Sequence, residues 1–252
     1  MPCRSWPSPE MQKGFCVSGF FFYLALKTFR LAKDMIFLFQ YLGMSVVWLI
    51  LKIFTNFQVV GRENLKDLKR PYILVSNHES HLDPPLVSIA VMNRPSLFPV
   101  RFMTKDAFFR IPGFNLLIWL LGSFKSNRKL GIDKALETPF RILEKRGAVI
   151  MFPEGHIVSE RGILGPGKRG AAALSIMTRA AILPMSVHIS ENLTLWRFLF
   201  ARRSRKHIKV NIGQPFYLDN VEYPDISDEV TLKATDKIML EIQKLYSLHI
   251  YD

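Results

Sequence analysis

The chain has 252 residues, enough for one domain with an attachment or for two small domains, and its hydrophobic fraction of 49% is high for a freely soluble enzyme and low for a polytopic membrane protein. Its formal net charge of +13 indicates a polyanionic partner, and the 20 phenylalanines favour an anionic bilayer over nucleic acid. Because Cys3 and Cys16 are its only cysteines, a disulfide framework and a zinc knuckle are both excluded, and a reducing compartment is expected.

The N-terminal part of the chain predicts an attachment to a membrane. Residues 1–13 are rich in proline and predict a disordered N-terminus. Residues 14–55 contain two apolar runs, Gly14–Leu26 and Met35–Leu51, separated by a basic segment. A helix rises about 1.5 Å per residue and a spanning helix needs about 20 apolar residues, so the first run is too short and the second is at the lower limit. The pattern predicts a helical hairpin embedded in one leaflet, with a spanning second helix or two buried core helices as alternatives.

Residues 56–252 alternate between β-rich and helical segments. This alternation predicts an α/β domain in which a mostly parallel or mixed sheet is flanked by helices. The β-rich segments are FQVVGREN, PYILVSNH, AVIMFPEG, ILPMSVHI and RKHIKVNIGQPF, and the clearest helical ones are PPLVSIAVM, AAALSIMTRAA and DEVTLKATDKIMLEIQKLYSL.

A cluster of polar side chains follows the second of these strands, in NHESHLDPP. Three interpretations are open: a metal site, a proton-transfer pair and a capped helix start. A metalloprotease helix needs H-E-x-x-H, and here the second histidine, His81, comes one residue early, which disfavours a metal. His78 lies just past a strand and Asp83 begins a helix, so a turn can bring imidazole and carboxylate together as a base and its orienting partner. Asp83 followed by two prolines also predicts an N-cap, whereas Glu79 and His81 are expected to be solvated.

Two further patterns are weaker. Gly162–Arg169 resembles a nucleotide-binding P-loop, but Arg169 follows the lysine where a P-loop needs Ser or Thr, so a basic loop covering a phosphorylated substrate is favoured. Arg197–Lys209 carries six Lys or Arg residues beside aromatic side chains. It predicts a surface facing lipid headgroups, with a solvated loop or a nucleic-acid contact as alternatives.

Several blocks, taken together and in order, resemble those of the glycerolipid acyltransferases typified by 1-acyl-glycerol-3-phosphate acyltransferases. NHESHLDP resembles the N-H-x-S-x-x-D block of that family, and MFPEG resembles its F-P-E-G block. The other similar segments are KDAFFRIPGFN, GSFKSNR and ILPMSV, and the blocks extend over Tyr72–Val187.

This resemblance implies a role for each matching residue. His78 would be the general base that takes a proton from the acceptor hydroxyl, and Asp83 would orient it. Arg128 would bind the acceptor phosphate, and Lys105 would add a second phosphate contact. Glu154 and Gly155 would shape the acceptor site. The resemblance implies no metal and no cofactor, since the acyl thioester is itself a substrate.

The chain departs from the family pattern after F-P-E-G. Many lysophosphatidate-specific members continue with Thr-Arg, whereas this chain has His156 and Ile157. One expected phosphate contact is therefore missing, for which Arg161, Lys168 or Arg169 are candidate replacements. The departure leaves the expected chemistry intact and makes another lysolipid or lipid alcohol an alternative acceptor.

The sequence therefore predicts a membrane-bound O-acyltransferase of phospholipid synthesis or remodelling, at the cytoplasmic face of a membrane. The expected partners are an acyl thioester (acyl-CoA or acyl carrier protein), a lysophospholipid acceptor and anionic membrane lipids, without nucleic acid. The alternatives are a non-catalytic membrane-surface protein and a metal-dependent lipid hydrolase.

Overall fold

The computed structural model describes residues 19–127, 131–158, 163–190, 206–218 and 227–248. The strands are β1 (Thr55–Val60), β2 (Tyr72–Val75), β3 (Arg101–Thr104), β4 (Ser123–Lys125), β5 (Ala148–Met151), β6 (Ala181–Ile189) and β7 (Lys206–Ile212). The helices are α1 (Gly19–Phe54), α2 (Asp83–Val91), α3 (Phe114–Leu120), α4 (Ile132–Glu144), α5 (Gly170–Thr178) and α6 (Asp228–Ser247). Short 3₁₀ turns cover Arg62–Leu65, Pro95–Leu97 and Asp106–Arg110.

The strands form one sheet in the order β1-β7-β6-β2-β5-β3-β4. Only β6 and β7 pair antiparallel in this sheet, and the other neighbouring strands pair parallel. A parallel strand between helical layers is apolar on both faces, and the four residues of β2, YILV, are all buried. The predicted α/β fold with a mixed, mostly parallel sheet is confirmed.

Hydrophobic cores lie on both faces of the sheet. One contains Met44 and Leu51 of α1 together with the buried face of α2. The other contains Leu136 of α4, the apolar side of α5 and Ile238 of α6. Alternate side chains of a strand point to opposite faces of the sheet. Leu74 of β2 therefore packs in the first core, and its neighbours Ile73 and Val75 pack in the second core.

From Gly19 to Phe54 the apolar N-terminal region forms one continuous helix, not the predicted hairpin. Helix α1 has 36 residues and is therefore about 54 Å long. The basic segment that separates the two apolar runs, Lys27–Asp34, contains no glycine or proline, so nothing in it ends the helix. The part of α1 from Asp34 to Phe54 is long and apolar enough to cross a membrane, by length and composition.

Helix α1 is fixed to the sheet domain through a buried glutamine. The amide of Gln40 donates to the carbonyl oxygens of Val100 (2.7 Å) and Leu121 (3.0 Å), and its oxygen accepts the N–H of Val100 at 3.0 Å. Gly122 permits this approach, because a Cβ there would lie 2.7 Å from the Gln40 amide nitrogen. A fully buried amide with its partners satisfied specifies one position for the helix.

The opposite face of α1 remains exposed and apolar. Large hydrophobic side chains on it are between 53% and 61% exposed at Leu38, Leu42, Val46, Leu49 and Ile53. Helix α3, which packs against α1, adds exposed leucines at positions 116 and 117. We call these exposed apolar side chains of the two packed helices the α1–α3 face.

Some predictions concern residues outside the described ranges. They are the disordered N-terminus at 1–13, most of the basic cluster at 197–209, and the candidate phosphate ligand Arg128.

Candidate active site

Four of the parallel strands end at the same edge of the sheet. Strands β2, β5, β3 and β4 are successive neighbours and run in the same direction. His78 follows β2, Lys105 follows β3, Asn127 follows β4 and Glu154 follows β5. The carboxyl ends of parallel strands are where open α/β sheets bind their ligands. The topology thus brings the predicted functional segments to one edge.

At this edge the structure pairs His78 with Asp83, as predicted. The Nδ1 atom of His78 lies 2.8 Å from Oδ2 of Asp83. The Asp83 carboxylate is fully buried, and its Oδ2 also accepts the main-chain N–H groups of Glu79 and Ser80 at 2.8 Å. The Ser80 hydroxyl donates to Oδ1 at 3.0 Å. Four hydrogen bonds therefore hold this carboxylate in place, which keeps its orientation towards the imidazole fixed.

The predicted helix cap at Asp83 is wrong by one position. The N-cap residue is Leu82, and Asp83 is the first residue of α2. Its carboxylate turns back to the amides of the preceding turn, because Pro84 and Pro85 have no N–H to donate to it. Asp83 therefore stabilises the turn that carries His78 and not the first turn of the helix.

The His78 ring has a defined orientation. It stacks on the ring of Phe152 with 4.1 Å between centroids and 18° between planes. A carboxylate can only accept hydrogen bonds, so Nδ1 carries the proton donated to Asp83, and Nε2 is left as the acceptor of the ring. The side chain is 17% exposed. In the neutral form of the ring, this arrangement leaves Nε2 able to accept a proton.

Glu154, expected to shape the acceptor site, has its carboxylate bound to two main-chain groups. Oε2 accepts the N–H of His78 at 2.8 Å, and Oε1 accepts the N–H of Gly165 at 2.9 Å. The residue is 1% exposed. Burial raises the pKa of the Glu154 carboxyl above its ordinary value, and the hydrogen bonds from Gly165 and His78 lower it in part.

Gly155 follows in a conformation that favours glycine, with φ at +73°. A Cβ at this position would lie 2.7 Å from Nζ of Lys168, so the ammonium of Lys168 rests on this turn. The imidazole Nδ1 of His156 lies 3.0 Å from the Glu154 carbonyl oxygen. Of the three cations considered as replacements for the missing arginine, Arg169 forms an ion pair with Asp228 at 2.6 Å, and the residue at 161 is outside the described ranges.

Of the two phosphate-binding candidates, the structure describes Lys105. Lys105 is exposed and immediately follows β3. Next to it, Oδ1 of Asp106 accepts the N–H of Asn127 at 3.1 Å and the hydroxyl of Ser126 at 3.2 Å. These hydrogen bonds lower the pKa of Asp106 below its usual range, the one from Asn127 most. Asp106 therefore ties the segment after β3 to the segment that leads to Arg128.

Two residues of the site were not identified from the sequence. Asn77 donates to the Val187 carbonyl oxygen and accepts the Val187 N–H, both at 2.8 Å, and so fixes the end of β2 to β6. Phe152 supports the His78 ring. Both belong to the blocks that carry the resemblance, which was the available signal for them. Of the two residues expected to be solvated, His81 is exposed, whereas Glu79 is partly buried and its Oε1 lies 3.3 Å from the Asn77 amide nitrogen.

Among the residues that the structure describes, no group of three or more His, Cys, Asp or Glu side chains is arranged to hold a metal ion. The chemistry available from the described side chains is that of a base, His78, with a carboxylate partner, Asp83.

Comparisons with known proteins find similar sequences and a similar fold. The family model described as Acyltransferase matches residues 56–188. A Saccharomyces cerevisiae 1-acyl-sn-glycerol-3-phosphate acyltransferase is 29% identical over 203 residues, which are 77% of this chain and 63% of the yeast protein. The Arabidopsis thaliana chloroplastic enzyme LPAT1 is 28% identical over 137 residues, which are 53% of this chain and 36% of that protein.

A solved structure shares the fold. The crystal structure of the 1-acyl-sn-glycerophosphate (LPA) acyltransferase PlsC from Thermotoga maritima superimposes with a TM-score of 0.57 and 22% sequence identity, covering 87% of this chain and 80% of that one. The matched segments span half or less of the length of several curated relatives.

Proposed function

This chain belongs to the acyltransferase family, and from that premise we propose that it transfers a fatty acyl group from a thioester to the hydroxyl of a lyso-glycerolipid, 1-acyl-glycerol-3-phosphate. The observation that carries the proposal is the His78–Asp83 pair at the carboxyl end of β2, with its carboxylate fully buried. The names of the relatives support this choice of acceptor.

His78 is the general base of the proposed reaction. Its Nε2 accepts the proton of the acceptor hydroxyl while the hydroxyl oxygen attacks the thioester carbonyl carbon. The tetrahedral adduct then collapses, the carbon–sulfur bond breaks, and the leaving thiolate takes the proton back from the imidazolium. The products are an ester and a free thiol, with no covalent acyl-enzyme. General-base catalysis of this kind contributes about 10²- to 10⁴-fold to the rate.

Asp83 keeps the imidazole in the reactive tautomer. Its Oδ2 holds the Nδ1 proton of His78, so Nε2 stays available as acceptor. When His78 becomes imidazolium, the nearby carboxylate stabilises the positive charge, and this stabilisation is strengthened because Asp83 is shielded from water.

The acceptor phosphate is proposed to bind between the segments that follow β3, β4 and β5. Arg128 supplies a bidentate contact that a lysine could not reproduce, and Lys105 adds a second positive charge. Gly155 lets the main chain approach the acceptor closely. Lys168, whose ammonium lies beside Gly155, is proposed to replace the family arginine that is absent at position 157.

The α1–α3 face is proposed to lie in the membrane. Its exposed leucine, valine and isoleucine side chains recur every three or four residues along α1, and two more exposed leucines lie on α3, which packs against α1. Monomeric soluble proteins rarely leave such a surface in water, whereas an enzyme acting on lipids needs access to the leaflet. The excess of Lys and Arg adds attraction to anionic lipids, at about 1 kcal/mol for each basic residue near the surface. We place the enzyme at the cytoplasmic face, with acyl-CoA or acyl carrier protein as donor.

The test is acyl transfer by the purified full-length protein to a panel of lysolipids, with radiolabelled acyl donor. We expect His78→Ala to lose transfer at least a hundredfold and His81→Ala, a neighbouring exposed histidine, to retain it. Equal transfer by wild type and His78→Ala refutes the mechanism. Transfer to other lysolipids but not to 1-acyl-glycerol-3-phosphate refutes the acceptor assignment.

The same preparation separates the alternatives. Binding to anionic vesicles without thiol release from acyl-CoA would indicate a non-catalytic membrane-surface protein. Stoichiometric zinc in the purified protein, with activity abolished by chelator, would indicate a metal-dependent lipid hydrolase. Full activity in chelator would exclude that class.

A further inference from the structure

We propose that Glu154 is a positioning residue that holds the main chain of His78, and that its carboxylate does not contact the acceptor. This inference refines the proposed function and rests on it. It differs from the role that the resemblance implies, in which Glu154 shapes the acceptor site.

The first support is that both carboxylate oxygens are already engaged. Oε2 accepts the His78 N–H at 2.8 Å and Oε1 accepts the Gly165 N–H at 2.9 Å. Glu154 is also 1% exposed. Each oxygen could accept a further hydrogen bond, but the carboxylate is buried between the segments that donate to it, so a substrate hydroxyl could reach it only by opening one of these contacts. Leaving a buried N–H unpaired in this way is costly.

The second support is that the N–H and the carbonyl oxygen of His78 are both hydrogen-bonded to the segment 152–158. Its N–H donates to Glu154, and its carbonyl oxygen accepts the N–H of Val158 at 2.8 Å. Phe152, two residues before Glu154, stacks on the imidazole. The segment 152–158 therefore contacts the N–H, the carbonyl and the ring of His78, and the Glu154 side chain supplies one of those three contacts.

The third support is that Glu154 connects this turn to a loop on its other side. The loop 163–168 is joined to the turn by the Gly165 hydrogen bond and by a bond from the Lys168 N–H to the Pro153 carbonyl oxygen at 2.8 Å. The same loop places the ammonium of Lys168 beside Gly155. The Glu154 carboxylate is therefore bound both to the loop that carries Lys168 and to the main chain of His78.

Glu154→Gln tests the role with almost no change in shape. A glutamine has one carbonyl oxygen, so its NH₂ group must face the N–H of either His78 or Gly165, donor against donor. The base then loses a fixed position. A misplaced catalytic group lowers the rate of the chemical step, whereas loss of a direct substrate contact weakens binding.

The first measurement is the steady-state kinetics of Glu154→Gln with varied lysolipid. We expect kcat to fall about 10- to 100-fold, the range that one unpaired buried donor implies, and KM for the acceptor to stay within about twofold. Glu229→Gln, the same change at an exposed residue paired with Lys233, is the control and should match wild type. An increased KM with unchanged kcat, or no change in either constant, would overturn the proposal. If the glutamine variant does not fold, Glu154→Asp, which keeps the charge but shortens the side chain, is assayed for the same separation of kcat from KM.

The second measurement does not depend on the substrate. Hydrogen exchange of the wild-type protein and the Glu154→Gln variant is compared over the peptide containing His78. Faster exchange at the His78 amide in the variant supports the proposal, and unchanged exchange contradicts it. Because exchange needs no turnover, a failure of the acyl-transfer assay would refute the proposed function and leave this result interpretable.

Discussion

Replacement of Asp83 by asparagine separates the charge of this residue from its geometry. Oδ2 of Asp83 accepts hydrogen bonds from Nδ1 of His78 and from the N–H groups of Glu79 and Ser80. An asparagine can place its single oxygen at that position, because three donors converge there. Its NH₂ group then faces the hydroxyl of Ser80, which can accept. The turn and the imidazole tautomer should therefore survive in Asp83→Asn, and only the negative charge is lost.

The magnitude follows from the distance between the charges. Two unit charges about 4 Å apart interact by about 4 kcal/mol at an effective dielectric constant near 20. The proton is only partly transferred in the transition state, so about 2 to 4 kcal/mol of stabilisation is at stake. This corresponds to a decrease in kcat of about 30- to 1,000-fold. In Asp83→Ala, by contrast, the donors at His78, Glu79 and Ser80 lose their acceptor, and the free energy of unfolding should also fall, by about 1 to 3 kcal/mol for each buried donor.

The assay is thiol release from acyl-CoA in the presence of lysophosphatidate, with thermal unfolding measured on the same preparations. We expect Asp83→Asn to unfold within a few degrees of wild type and to be severely slowed, and Asp83→Ala to be both slow and less stable. If Asp83→Asn keeps kcat within threefold of wild type, the charge of Asp83 plays no part in catalysis and the reasoning is refuted.

Three other predictions concern the surroundings of the site. Gln40→Leu leaves one buried main-chain N–H and two carbonyl oxygens without their side-chain partner. The free energy of unfolding, measured in detergent, should therefore fall by about 1 to 3 kcal/mol. An unchanged midpoint of the unfolding transition would mean that α1 does not dock on the sheet domain. Asp106→Ala frees the main chain at Asn127, one residue before Arg128, so KM for the lysolipid should rise about 2- to 10-fold with little change in kcat; an unaffected KM would contradict the placement of the phosphate. Because burial raises the pKa of Glu154, the folded protein keeps a proton on this carboxyl at pH values where the unfolded chain has released it, so the free energy of unfolding falls as pH rises through that interval. Glu154→Gln should flatten this acidic slope in melting curves, and an identical slope in both proteins would count against a raised pKa.

Local features of the sequence were sufficient to predict that the side chains of His78 and Asp83 lie together. His78 and Asp83 are five residues apart, on a turn between a buried strand and a helix that begins with two prolines. A local turn is enough to bring two side chains at this separation together, without any contact to distant parts of the chain. The alternation of β-rich and helical segments likewise predicted the sheet class, because side-chain periodicity and connection length are local properties.

The structure decided those features that depend on distant parts of the chain. The hydrophobic pattern of the N-terminal region is compatible with a hairpin and with one helix, and the docking of Gln40 onto a main chain 60 residues away belongs to a single helix that packs on the domain. Asn77 meets Val187 across 110 residues, and Glu154 meets His78 across 76. Sequence alone determined which residue types the chemistry needs and where each lies along the chain. Only the tertiary structure decided that the carboxylate of Glu154 accepts a hydrogen bond from the backbone of His78, the proposed base, because a hydrogen bond between distant residues exists only when the packing of the whole sheet brings donor and acceptor within reach.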